Sequence, residues 1–116
     1  MLKYLPIKVG KEMKKRMFFI MLSSIMITPY IQADGKKVFE TYCWGCHHQS
    51  AVAFGPPFTE IASKRSAQEI KAMIVDPKEV SKIFGYKRNA MPPFTLTPIE
   101  LEAITNYILS YKAKDK

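Results

Sequence analysis

The chain has 116 residues, with 18 Lys or Arg against 10 Asp or Glu, a formal charge of +8 and a pI of about 9.5. Residues 1–33 hold six of those bases and one of those acids, so residues 34–116 carry only +3; a nucleic-acid reading would need a basic patch within the folded domain itself. The 83 residues of 34–116 leave no room for a second domain, and at that size an apolar core alone is marginal, so support from a metal or a cross-link is expected.

The first 33 residues read as a targeting segment. Lys11, Lys14, Lys15 and Arg16 form a basic region ahead of the apolar run Met17 to Ile27, and Ile31-Gln32-Ala33 offers a cleavage site before Asp34. Only Ala33 meets the small-x-small rule, because Ile31 is bulky. The apolar run is short against the ~20 residues that span a bilayer. A cleaved signal peptide over 1–33 is therefore the expectation, with an uncleaved anchor as its alternative. Met13-Lys14-Lys15-Arg16 also opens like a signal peptide and makes Met13 a second candidate start. Either reading exports the domain at 34–116 to the periplasm, with membrane attachment only where the leader is retained.

Val38, Phe39 and Tyr42 stand at helical spacing, which predicts a helix from about Gly35 to Cys43. Cys43-Trp44-Gly45-Cys46-His47 follows and contains both cysteines of the chain. Cys-x-x-Cys-His is the attachment signature of a c-type haem: each thiol adds to one vinyl group, and the imidazole after the second becomes the proximal iron ligand. Three other uses compete. A thioredoxin-like dithiol needs a strand ahead of it in a βαβ unit, and none is visible here. Zinc needs four converging ligands, which the adjacent His47 and His48 do not easily supply. A disulfide closing so short a loop would constrain the unfolded chain little. Haem attachment is favoured and the dithiol is the runner-up. His48 is read as a solvent-facing neighbour.

Further along, Gly55-Pro56-Pro57-Phe58 reads as an irregular turn. Ser66-Ala67-Gln68-Glu69 is a capping box that opens a helix to about Val75, stopped by Asp76-Pro77. Met91-Pro92-Pro93-Phe94 is a second rigid, irregular segment. Thr97-Pro98-Ile99-Glu100 opens the last helix, with Pro98 at its first position and Leu101, Ile104, Ile108 and Tyr111 along one buried stripe. Lys112 to Lys116 reads as a frayed, solvated end. No segment alternates as a strand does, so the domain is expected to be all-α, with three helices.

The ordered set of residues resembles the class I, single-haem cytochromes c over essentially all of 34–116. In that family a glycine, an aromatic four residues on and the first haem cysteine four further open the domain, as Gly35, Phe39 and Cys43 do here. The resemblance implies a small helical domain wrapped around one covalently bound haem c, held by Cys43 and Cys46. It implies that Gly35 and Phe39 pack against Tyr107 of the last helix, and that the Pro56 carbonyl accepts a hydrogen bond from the proximal His47. The family's distal methionine precedes the last helix and is often followed by proline, which points to Met91 as the second axial ligand. Met73 is the other methionine after the leader and is read as core packing beside Ile70 and Ile74.

Imidazole and thioether together would favour Fe(II), raise the reduction potential and leave no open position, which describes electron transfer rather than catalysis. The expected partners are redox proteins of a respiratory chain: a periplasmic dehydrogenase, a quinol-oxidising complex or a terminal oxidase. Val52, Ala53, Phe54 and Pro92 would form an apolar rim at the haem edge, and Lys82, Lys87 and Arg88 a basic flank for an acidic partner. A dedicated haem subunit of a periplasmic dehydrogenase is the variant reading. An enzyme or sensor with an open iron position is the alternative of another class, although no distal His–Arg pair is evident.

Overall fold

Five helical segments and no strand form between residues 32 and 113, the stretch that the computed structural model describes. Most of the expected leader, the candidate start at Met13 and the last three residues of the tail lie outside the described residues. Helix α1 is Gly35–Val38, capped by the Asp34 carboxylate, which accepts the Lys36 N–H at 3.0 Å. It runs on as a π-helical turn, Phe39–Cys43, closed by the Trp44 N–H donating to the Phe39 carbonyl at 2.9 Å. Such wide turns occur mostly as single insertions and often at functional sites.

The other helices are α2 Phe58–Lys64, α3 Ala67–Val75, α4 Pro77–Ile83 and α5 Pro98–Leu109. Both expected capping boxes form, Ser66 with Glu69 at the start of α3 and Thr97 with Glu100 at the start of α5. Two helices exceed the three expected. Asp76-Pro77 does end α3, but it also opens α4: the Asp76 side chain caps the Glu79 N–H and Pro77 takes the first helical turn. Gly85, at φ +78°, then closes α4. Its N–H donates to the Lys82 carbonyl at 3.1 Å and that of Tyr86 to Ser81 at 2.9 Å, a Schellman ending that requires the left-handed residue.

Helix α2 begins where an irregular turn was expected, and no side chain caps it. Its first amides are satisfied by a loop instead: Phe58 and Thr59 donate to the carbonyls of His48 and Gln49 at 3.0 and 3.1 Å.

Helix α5 packs against α1, α2 and α3 and so organises the domain. Of the expected stripe, Ile104 and Ile108 are fully buried in the core with Val38, Phe39, Phe58, Ile70 and Ile74, while Leu101 and Tyr111 lie partly buried against it. The α1–α5 crossing is close: a Cβ on Gly35 would stand 2.7 Å from that of Tyr107, and the Phe39 and Tyr107 ring centroids lie 5.8 Å apart. No helix among the described residues is long and apolar enough to cross a membrane.

Candidate functional site

The π-helical turn ends at Cys43, and the chain folds over at once: Cys46 and His47 donate their N–H groups to the Cys43 carbonyl at 3.1 and 2.9 Å. After a surface loop, the Gly55 N–H bonds back to the Cys46 carbonyl at 2.8 Å and brings Gly55-Pro56 against the His47 ring. Nδ1 of His47 lies 2.8 Å from the Pro56 carbonyl, an acceptor, so Nδ1 carries the proton and Nε2 keeps its lone pair. Gly55 approaches the same ring so closely that a Cβ there would sit 2.7 Å from Nδ1. The Phe58 ring stacks with it at 5.9 Å and 28°.

Cys43, Cys46, His47, Pro56 and Met91 all line one cavity of about 370 Å³, within the range of cofactor pockets. Helix α3 contributes Ile70, Met73 and Ile74, the end of α4 contributes Phe84, and Pro92 and Phe94 flank Met91. Met91 is half-buried and packs against the core. The loop that bears it is pinned to α3 by the Phe94 N–H, which donates to the Ile74 carbonyl at 3.0 Å.

The cavity is not apolar throughout. Arg65 lies over the Phe84 ring with its guanidinium carbon 3.5 Å from the centroid. Its contacts to Glu69 at 3.8 Å and to the Tyr86 hydroxyl at 3.4 Å are both long, which leaves most of its donors free. Arg88 and Asn89 line the same cavity. Apolar walls, two thiols, an imidazole with a free nitrogen, two thioethers and two guanidinium groups suit a flat apolar macrocycle that bears two carboxylates and a metal.

The competing uses of the cysteines fit less well. Both thiols are free. Burial first, and the neighbouring Cys46 second, pushes the Cys43 thiol up to about 11, whereas reactive dithiols have depressed values. Among the described residues no group of His, Cys, Asp or Glu converges as a metal-binding cluster. His48 stays out of the cavity; its Nδ1 accepts the N–H groups of Ser50 and Ala51 at 3.1 and 3.0 Å and shapes the loop.

Some expectations change. Met73 belongs to the cavity wall and not to the core cluster of Ile70 and Ile74, because it faces the space those two residues help to close. Of the expected apolar rim, Phe54 and Pro92 line the cavity, while Val52 and Ala53 are exposed away from it. Lys82 pairs with Glu79 at 2.9 Å, and Arg88 reaches the cavity. Arg65, Tyr86 and Asn89 escaped the reading of the sequence: a basic residue after a helix and a tyrosine after a glycine have many uses, and only tertiary packing gathers them.

A sequence model of the family described as Cytochrome c matches residues 32–112. Among solved structures, the fold is similar to that of a cytochrome c from Rhodothermus marinus, with a TM-score of 0.56, 21% identity, and coverage of 66% of this chain and 72% of that one. Comparison with curated protein sequences gives no match.

Proposed function

The chain belongs to the cytochrome c family, which makes it a haem c electron carrier, and we propose that it is exported to the periplasm and passes single electrons between redox proteins through iron ligated by His47 and Met91. Cys43 and Cys46 hold the macrocycle by thioether bonds in this reading. Haem supplies the one-electron Fe(III)/Fe(II) couple.

The observation that carries the ligand assignment is the hydrogen bond between His47 Nδ1 and the Pro56 carbonyl, in a cavity that Met91 also lines. The carbonyl holds the proton on Nδ1, so Nε2 is free to bind metal. Met91 is preferred to Met73 because its loop is stiffened by Pro92 and Pro93 and tied to α3, and because the family places its sulfur ligand there. With both positions filled, a small ligand would bind only by displacing one of the two side chains, and a carrier that keeps the same ligands in both oxidation states would rearrange little. Arg65 and Arg88, which line the cavity, would supply positive charge for the two haem carboxylates.

Electrons would cross at the edge marked by the exposed Cys46 and Phe54. The exposed Arg88 would favour an acidic partner, such as a dehydrogenase, a quinol-oxidising complex or a terminal oxidase, bound weakly enough for fast release.

The test is the visible spectrum of protein recovered from exporting cells. Covalent haem is expected, with a weak far-red sulfur-to-iron band in the oxidised state. Met91→Ala should abolish that band and lower the midpoint potential, and Met73→Ala should preserve both. A band that survives Met91→Ala and vanishes in Met73→Ala transfers the assignment to Met73.

A further inference from the structure

Residues 87–93 carry Met91 along the cavity with almost no hydrogen bonding of their own. The flanking backbone bonds are Tyr86 N–H to Ser81 at 2.9 Å and Phe94 N–H to Ile74 at 3.0 Å. Between them Pro92 and Pro93 have no N–H to give, and residues 87–90 are exposed. Among the described residues, the hydrogen bonds of this segment come from a single side chain. Asn89 Oδ1 accepts the Met91 N–H at 3.2 Å, and Asn89 Nδ2 donates to the Met91 carbonyl at 3.3 Å.

One amide thus grips both backbone polar groups of Met91. Only a side chain that donates and accepts at this reach can do so: aspartate keeps the acceptor alone, and alanine has neither. The grip matters because a thioether is a neutral, weak ligand whose hold on a metal depends on how well its tether is kept in place.

We propose that Asn89 is the positioning residue of the sulfur ligand, its side-chain amide fixing the Met91 backbone and so governing how readily a small external ligand takes the sixth iron position. This rests on Met91 as the axial ligand.

The test uses the oxidised holoprotein, mixed with cyanide while the far-red band is followed in time. Asn89→Ala should speed displacement about three- to tenfold, the scale set by losing two solvent-exposed hydrogen bonds. Asn89→Asp should fall between Asn89→Ala and the wild type. Lys87→Ala lies in the same segment without a bond to Met91 and should leave the rate unchanged. Equal rates in wild type and Asn89→Ala overturn the proposal, as does equal acceleration by Lys87→Ala, which would mean general loosening of the loop. A far-red band that survives Met91→Ala overturns the ligand reading, and the proposal with it; a band lost in Met91→Ala beside unchanged Asn89→Ala kinetics overturns the proposal alone.

Discussion

His47 and Met91 line one cavity, yet the chain holds them by different means. Around His47 a tight turn, a backbone bond from Gly55 to Cys46, the Pro56 carbonyl at 2.8 Å and the Phe58 ring act on the imidazole from residues close in sequence. Around Met91 the backbone is exposed, proline-stiffened and gripped by Asn89, with the pin to α3 three residues on. The imidazole side is held by close packing and a part-buried hydrogen bond to the Pro56 carbonyl. The thioether side is held by chain stiffness and a few hydrogen bonds that water can replace. Any exchange at the iron should therefore begin at Met91, and variants on the two sides should fail in different ways.

The sharpest blow to the packed side is Gly55→Ala. Its backbone has no positive φ, so glycine serves there to make room for the His47 ring and not for conformational freedom. A methyl group 2.7 Å from Nδ1 must displace the ring or the Gly55-Pro56 backbone. Overpacking of this kind costs about 1–3 kcal/mol. Chemical denaturation should show that loss, and the low-temperature electron paramagnetic resonance of the oxidised protein should shift as the imidazole plane turns. If both match wild type, the packed side is softer than the comparison requires.

On the other side, Gly85→Ala strikes the turn that launches the Met91 segment. At φ +78° an L-residue is strained, which costs about 1–2 kcal/mol. Cyanide should then displace the thioether faster, while the resonance signature of the His47 side stays as in wild type. A change in that signature would mean that the two sides are coupled through the domain and not independently held.

How far these features could be read from the residues differs from element to element. The two capping boxes and the stripe on α5 were legible because each is a local pattern whose partners lie within a few positions. Helix α4 was also marked, by Asp76-Pro77 ahead of Glu79 and by Gly85 behind, but a proline that ends one helix is easily read only as a stop. Helix α2 carried no such mark. Its first amides are met by the carbonyls of His48 and Gln49, a contact that exists only after the haem-motif loop has folded back. The same distinction divides the site. Cys43, Cys46 and His47 are contiguous and declare their chemistry, whereas Arg65, Met73 and Asn89 join the cavity through packing that spacing does not encode.

The smallest expected effect concerns the wall to which the Met91 loop is pinned. Glu69 closes the capping box of α3, accepting the Ser66 N–H at 2.7 Å, and that backbone hydrogen bond, ahead of the nearby Arg65 charge, lowers its pKa. A folded-state value below the unfolded one means that the carboxylate's contribution is fully present above the unfolded pKa, about 4.3. It is lost as pH falls through the folded value. Glu69→Gln keeps a polar oxygen for the cap but cannot titrate. The stability difference between wild type and Glu69→Gln should therefore favour wild type at neutral pH and shrink as pH falls below that unfolded value, measured by denaturant midpoints at each pH. Because α3 receives the Phe94 bond, the same acid range should modestly quicken thioether displacement in wild type relative to Glu69→Gln. A displacement rate that follows the stability difference ties the loosely held side to α3, and one that ignores it assigns that looseness to the loop alone.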